Sequence, residues 1–296
     1  MNQRIEKIKR MKSTKELIDF GIINIDKCSG PTSFQVSEFV KKKLGLSKSS
    51  HFGTLDPKVT GVLPVALGRA CKLAGYFLGE DKTYIGIMHL HEPIELEKIN
   101  KAIKEKFTGD IIQMPPVKSR VKRENRTRKI YEFEILEYEN QDALFRVKCE
   151  GGTYVRKLCT DLGDELGCGA HMLELRRTNA GIFSEHNTNY PVVNLYEFEK
   201  AIDEYKLGNE TRLRNMLIPA EVISELHPFV EIKNEVLKKV LHGSPIHKED
   251  LIGKLPDFKK EKIFLAFSKD NFVGVFKVVN EGDIFARSEF TLQPIK

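Results

Sequence analysis

Two neighbouring segments of this chain alternate apolar and charged side chains at a period of two residues, and this pattern limits the choice of fold. They are "IYEFEILEYE" (130–139) and "ALFRVKCE" (143–150), joined by "NQD". Successive side chains of a β-strand point to opposite faces, so the pattern predicts an antiparallel hairpin with one buried and one solvated face.

The segments around the hairpin mix strands and helices without the regular βαβ alternation of a doubly wound fold, which predicts an α+β class. A helix beginning at Thr32 or Ser33 and ending at Gly45 follows the strand-like "GIINIDK". After "IPAEVISELHPF" the texture changes to one short helix and the β-like runs "KIFLAFS", "FVGVFKVVN" and "IFARSEFTL". We therefore expect a first domain at 16–222 and a small, mostly β barrel-like module at 223–296, with residues 1–15 packing on that module.

The charge distribution points to a polyanionic partner more clearly than the net charge does. The formal net charge is +6, but the segment 118–129 alone holds seven basic residues and one acid. Five cysteines form no CxxC pair, and their odd, scattered arrangement suits a reducing compartment. No apolar run approaches the roughly 18–20 residues of a membrane span, and the first residues hold no apolar signal segment. We expect a cytoplasmic protein with no membrane partner.

The stretch "HFGTLDPKVTGVLPVALG" (51–68) places one carboxylate, Asp56, in a loop rich in glycine and proline. An aspartate beside proline is usually a turn residue whose side chain bonds to nearby backbone N–H groups. The chain holds no phosphate-binding loop, no GxGxxG after a strand, no HExxH and no serine nucleophile elbow. These absences disfavour kinase, dehydrogenase, zinc-hydrolase and esterase functions.

The same stretch closely resembles the catalytic loop of TruB-type pseudouridine synthases, and other segments resemble this family in the same order. They are "GIINIDKCSGPTS", "KTYIGIMHLH", "IIQMPPVKSRVKR" with "RTRKIYEFEILE", "EGGTYVRKL" and "GAHMLELRRTNAGIF". The chain is still more similar to the archaeal dyskerin-type branch, the catalytic subunit of H/ACA guide-RNA particles, and its C-terminal module is similar to a PUA domain. The resemblance implies a mixed, largely antiparallel central sheet with flanking helices, plus a small PUA-like β pseudo-barrel. It also implies isomerisation of uridine to pseudouridine in RNA, without cofactor or metal.

The resemblance assigns roles to five side chains around the proposed pocket. Asp56 corresponds to the nucleophile, Arg156 to the arginine that pairs with it, and Tyr84 to a tyrosine that stacks on the target base. His51 corresponds to a residue beside the flipped nucleotide, and Leu175 to an apolar residue at the pocket floor. A guanidinium beside Asp56 favours the ionised carboxylate. The sequence leaves open whether Asp56 attacks the sugar C1′, adds to the base or assists elimination.

Two further RNA contacts are implied by the resemblance. The loop "VKSRVKRENRTRK" corresponds to the thumb that closes over substrate RNA, although a charge run is ordinarily a solvated face. Gly243 follows a helix at which a PUA domain approaches guide RNA. The thumb side chains expected to bind substrate phosphates are Lys118, Arg120, Lys122 and Arg123.

The implied partners are an H/ACA guide RNA, substrate rRNA and possibly tRNA, and small H/ACA accessory proteins that include a kink-turn-binding protein. A stand-alone synthase acting on the tRNA T-loop is the alternative, but an insertion that grips the tRNA arm is not apparent. A non-catalytic RNA scaffold is the third hypothesis. The presence of Asp56, Tyr84 and Arg156 argues against it.

Overall fold

The computed structural model describes residues 3–115, 122–253 and 262–293. Within these ranges the helices are α1 (Gln3–Met11), α2 (Thr14–Asp19), α3 (Ser33–Leu44), α4 (Ala74–Leu78), α5 (Leu96–Lys106), α6 (Val155–Glu165), α7 (Leu195–Lys206), α8 (Thr211–Met216) and α9 (Leu237–Leu241). None of the helices in these ranges has the length and apolar character that crossing a membrane requires.

The strands up to residue 219 belong to one large sheet. They are β1 (Phe20–Lys27), β2 (Ser49–His51), β3 (Thr60–Gly68), β4 (Lys82–Leu90), β5 (Gly109–Gln113), β6 (Arg126–Glu139), β7 (Asp142–Cys149), β8 (Ala170–Ala180), β9 (Phe183–Ser184), β10 (Val192–Asn194) and β11 (Leu217–Pro219). The main path runs β10-β1-β3-β8-β4-β7-β6-β5. β1 pairs with β10 and β3 with β8 in parallel, and the other pairings of this sheet in the described ranges are antiparallel. The α+β class and the largely antiparallel central sheet are confirmed.

The hairpin predicted from the period-two pattern is formed by β6 and β7. Its two-residue turn, Asn140-Gln141, has positive φ at both positions (51° and 71°), the geometry of the tight turns that match strand twist. Phe133 and Phe145 point inward and pack edge to face, with ring centroids 5.6 Å apart. On the opposite face Arg146 pairs with Glu132 and Glu134 at 3.3 and 2.6 Å, so that face is the solvated one.

Helix α3 begins where its capping residues require. The Thr32 side chain accepts a hydrogen bond from the Gln35 backbone N–H, and the Gln35 side chain accepts one from the Thr32 N–H. Of the two caps considered, the structure therefore has Thr32. The helix ends at Gly45, which adopts the left-handed conformation with φ 66°. This start places Ser33 against the loop that follows β2.

The C-terminal strands form a separate six-stranded sheet. They are β12 (Phe229–Ile232), β13 (Ile246–His247), β14 (Leu251–Ile252), β15 (Ile263–Ser268), β16 (Asn271–Glu281) and β17 (Ile284–Thr291). Their order is β13-β17-β16-β15-β12-β14. The predicted β texture of this region is confirmed.

The two sheets share an apolar cluster. Phe20 of β1 stacks on Phe272 of β16 with ring centroids 5.5 Å apart, and Ile5 and Ile8 of α1 are buried in the same cluster. Arg4 of α1 reaches over the ring of Phe267, 4.2 Å from its centroid. The exact division between residues 222 and 223 remains a prediction.

Candidate functional site

The loop that carries Asp56 spans residues 52–59, between β2 and β3. Its first residue, Phe52, is buried and stacks on Phe77 with ring centroids 4.4 Å apart. The Phe52 N–H donates to the Pro64 carbonyl at 2.9 Å, and the Val59 N–H donates to the Asp56 carbonyl at 3.0 Å. The loop is therefore folded against the sheet at its beginning and closed as a turn at its end.

Side chains from two elements of the first forty residues fasten this loop from one side. The Ser33 hydroxyl donates to the Leu55 carbonyl at 3.0 Å and accepts from the Leu55 N–H at 2.8 Å. The fully buried Lys27 ammonium, at the end of β1, donates to the carbonyls of Cys28, Pro57 and Val59 at 3.0, 2.9 and 2.8 Å. Backbone on both sides of Asp56 is thus held by hydrogen bonds.

Arg177 of β8 fastens the same loop from the other side. Its guanidinium donates from Nε to the Val62 carbonyl at 2.8 Å and from Nη2 to the Gly53 carbonyl at 3.0 Å. The side chain is 1% exposed. Position 56 is consequently flanked by carbonyls whose places are fixed by a buried cation.

The Asp56 carboxylate itself points outward and forms an ion pair with Arg156. The side chains of Asp56 and Arg156 are 48% and 57% exposed. An ion pair of this exposure contributes only about 0–1 kcal/mol to stability, so its effect is to orient the carboxylate. Arg156 lies in the first turn of α6, where the helix dipole opposes a cation, and the anionic partner offsets that opposition.

Tyr84 and Leu175 form a buried wall on the core side of the same sheet. In the register of β4 and β8, Tyr84 lies opposite Arg177 and Gly86 lies opposite Leu175. Burial raises the pKa of Tyr84, and the charge of Arg177 opposes that rise. A Cβ added at Gly86 would come within 2.8 Å of Leu175 Cδ1, so this position leaves space only for glycine.

His51 ends strand β2 on the approach to the loop. Its Nε2 lies 3.2 Å from the Thr54 hydroxyl oxygen. Burial lowers the pKa of His51, and the charge of Arg177 lowers it further. These influences favour the neutral imidazole, which can both donate and accept a hydrogen bond.

Two of the predicted thumb residues contact nearby side chains, and Gly243 of the C-terminal unit faces open space. Lys122 pairs with Glu124 at 2.9 Å, and Arg123 Nη2 lies 3.5 Å from the sulfur of Met114. Gly243 follows α9 with φ +98°, and no atom lies within 4 Å of the place a Cβ would occupy. Lys118 and Arg120 lie outside the described residues. The RNA contacts assigned to all five residues stay predictions.

The structure therefore pairs Asp56 with Arg156 and places Tyr84 opposite Arg177, whose charge also acts on His51. Sequence reasoning missed Arg177, Lys27 and Ser33 as supports of this loop. Each stands inside a quoted motif, "ELRR", "DK" or "PTS", but nothing in the residue pattern distinguishes a buried cation from an exposed one. Among the described residues, no group of three or more His, Cys, Asp or Glu side chains is arranged to hold a metal ion.

Two family descriptions match contiguous parts of this chain. "TruB family pseudouridylate synthase (N terminal domain)" matches residues 41–155, and "tRNA pseudouridylate synthase B C-terminal domain" matches residues 156–224. A Methanopyrus kandleri protein named "Probable tRNA pseudouridine synthase B" is 48% identical over 232 residues, covering 78% of this chain and 67% of that protein. A Thermococcus gammatolerans protein of the same name is 43% identical over 279 residues, covering 92% and 81%.

Solved structures match over nearly the whole chain. "Crystal Structure of a Cbf5-Nop10-Gar1 Complex" gives a TM-score of 0.87 at 38% identity, covering 97% of this chain and 89% of that one. "Crystal structure of the archaeal box H/ACA sRNP Nop10-Cbf5 complex" gives 0.84 at 36%, covering 99% and 92%. The fold and its relatives define a pseudouridine synthase, an enzyme that isomerises uridine in RNA. Within that class, the chain belongs to the TruB family.

Proposed function

We propose that this protein is the catalytic subunit of an H/ACA guide-RNA particle that converts uridine to pseudouridine in rRNA, with Asp56 as the nucleophile. The single observation that carries the catalytic assignment is the half-exposed Asp56–Arg156 ion pair on a loop whose backbone is fixed from both sides. The guided role is supported by similarity to Cbf5 chains crystallised with Nop10 and Gar1. It is also supported by "Structure of H/ACA RNP bound to a substrate RNA containing 2'-deoxyuridine", at 37% identity and a TM-score of 0.85.

The reaction is an isomerisation in which atoms and electrons balance within the substrate. The N1–C1′ bond breaks, the uracil turns, and a C5–C1′ bond forms, while C5 loses a proton and N1 gains one. Asp56 acts on the nucleoside once the base has been turned out of the RNA, since a stacked base hides its glycosidic bond. Arg156 pairs with the carboxylate and aims it at the nucleoside, which a nucleophile requires.

The remaining pocket residues hold the extruded base. Tyr84 and Leu175 supply the apolar surface against which uracil packs, and the Tyr84 phenol takes part in proton transfer. His51 lies beside the flipped nucleotide and stabilises that state. The thumb residues Lys118, Arg120, Lys122 and Arg123 contact phosphates, and Gly243 lies where the C-terminal unit approaches guide RNA.

The same proposal covers organisation and location. Residues 16–222 form the catalytic unit and residues 223–296 the PUA-like unit, with the first 15 residues packed on the latter. The family matches within 41–224 and the Arg4–Glu231 ion pair of 3.1 Å support this division. The partners are guide RNA, rRNA and small H/ACA proteins, including one that binds a kink-turn, and the particle works in the cytoplasm.

A stand-alone tRNA synthase is the second candidate, because the relatives quoted above carry tRNA in their names. The deciding experiment maps pseudouridine after incubation with tRNA alone and, separately, with guide RNA, target RNA and accessory proteins. We expect modification of the guided target, and Asp56→Asn should abolish it while RNA binding survives. Asp203→Asn, a matched change at an exposed position of α7, should remain active. Loss of binding together with activity in Asp56→Asn would contradict a catalytic role.

The thumb assignment has its own test. Replacing Lys118, Arg120, Lys122 and Arg123 by Ala should weaken RNA affinity and reduce the slope of log K against log salt by up to about 3. The matched control removes four lysines of α5, namely Lys98, Lys101, Lys104 and Lys106. An equal change of slope in both variants would indicate that the thumb is an ordinary solvated face and makes no specific contact with RNA.

A further inference from the structure

We infer that Arg177 is a positioning residue of this enzyme, which fixes the Asp56 loop beside the strand that carries Tyr84; the inference rests on the proposed function of Asp56. Its guanidinium donates to the Gly53 carbonyl, three residues before Asp56, and to the Val62 carbonyl, six residues after it. A single rigid group thus spans the base of the loop. Tyr84 lies opposite Arg177 in the register of β4 and β8.

The surroundings of Arg177 differ from those of a structural ion pair. In the described part of the chain it pairs with no carboxylate, although it is 1% exposed. Its neighbour on β8, Arg176, pairs with Asp26 and Glu185, each at 2.9 Å. Burying a cation without a counter-ion is costly. Because no carboxylate of the described residues neutralises the charge of Arg177, this charge acts on the titratable groups around it.

The positive charge reaches titratable groups that surround the loop. It lowers the pKa of His51 and of Lys82, after burial as the larger cause, and it opposes the rise that burial imposes on Tyr84. From the facing elements, Asp56 and Cys149 act on Tyr84 in the opposite direction. Arg177 is thus the cation next to the buried phenol.

The first test replaces Arg177 by Lys, which keeps the charge but has a single donor centre that cannot span the Gly53 and Val62 carbonyls. Pseudouridine formation is followed in single turnover at saturating guide and target RNA, well below the melting midpoint of each variant. We expect the rate constant to fall about 100-fold, because misplacement of reacting groups by about 1 Å costs that much. RNA affinity should change less than about twofold. Arg176→Lys, the matched control, should stay within about threefold of the wild-type rate.

The second readout does not depend on activity. With 3-fluorotyrosine placed at position 84, fluorine NMR follows the titration of that phenol. Arg177→Gln, which removes the charge, should move the titration to higher pH, and Arg177→Lys, which keeps the charge, should move it less. If Arg177→Gln does not fold, the single-turnover rate of Arg177→Lys decides.

Three results would overturn the inference. They are a wild-type rate in Arg177→Lys, a rate loss matched by an equal loss of RNA affinity, and an unmoved phenol titration in Arg177→Gln. Failure of the proposed function is distinguishable, because it would appear as activity in Asp56→Asn whatever the Tyr84 titration does.

Discussion

Replacing Lys27 by Met tests whether buried cations hold the catalytic loop. The Lys27 ammonium is fully buried and donates to three carbonyls, of which Pro57 and Val59 lie just after Asp56. Methionine retains an unbranched stem of similar length and removes the donors. The loop should then lose its anchor on the β1 side while the core around the stem stays packed.

The magnitude follows from the fate of each carbonyl. Pro57 keeps a second donor, the Gly30 N–H at 3.0 Å, and the Cys28 carbonyl is partly exposed and can bind water. Only the buried Val59 carbonyl loses its hydrogen bond without replacement. Hydrogen bonds from charged donors contribute about 1.5–3 kcal/mol each to stability. Burial lowers the pKa of Lys27, which means that keeping its ammonium charged costs free energy and offsets part of this contribution. We expect the free energy of unfolding to fall by about 2–4 kcal/mol.

Scanning calorimetry measures this loss. For a unit of this size, about 1 kcal/mol lowers the melting midpoint by roughly 2–4 °C, which predicts a fall of roughly 5–15 °C. Lys58→Met removes an exposed lysine of the same loop and should leave the midpoint within about 1 °C. A Lys27→Met midpoint equal to that of the control would refute the claim that the ammonium anchors the loop.

Three further predictions concern pH, sterics and capping. Burial lowers the pKa of Lys82 from its ordinary 10.5 to about 8, so between these pH values the unfolded state holds a proton that the folded state has released. The stability difference between wild type and Lys82→Met should therefore shift in favour of wild type by up to about 3 kcal/mol as pH rises through that window, measured by urea unfolding; a flat difference would contradict this. Gly61→Ala should lower the melting midpoint far more than Gly208→Ala, because both have positive φ but only the Gly61 Cβ would approach the Arg177 carbonyl, to 2.2 Å. Thr32→Ala, which removes the α3 cap, should cost about 1 kcal/mol in urea unfolding, and no loss would show that the cap contributes nothing.

Local patterns were sufficient for the hairpin and for α3. Alternation at period two and the Thr32 cap are properties of neighbouring residues, so the sequence alone predicts them. Helix α1 was not predicted from the sequence, because the first residues of the chain have the composition of a basic segment. Its buried residues, Ile5 and Ile8, lie three apart and pack among side chains from β1 and β16, which the sequence does not bring together.

In the candidate site, too, the sequence pattern alone does not predict which distant residues come together. Asp56 and Arg156 are 100 residues apart, and only similarity to a family joined them before the structure did. Lys27 and Arg177 look like ordinary surface cations in the sequence. Their burial depends on strands β1 and β8 flanking β3, a consequence of sheet order and not of any local pattern.

The cations around Asp56 have two different roles. Some fix the backbone of the loop, and one pairs with the carboxylate. Lys27 and Arg177 are buried and bind only backbone carbonyls in their hydrogen bonds to the loop, so they fix the path of the chain without neutralising the carboxylate. Among the described residues, Arg156 alone pairs with the carboxylate, in a half-exposed contact that contributes little to stability. Entering RNA can therefore rearrange the Asp56 ion pair at a cost of about 1 kcal/mol or less, whereas displacing the loop would break buried hydrogen bonds to two cations. The Asp56 carboxylate can therefore change its partner while the backbone of the loop stays in place.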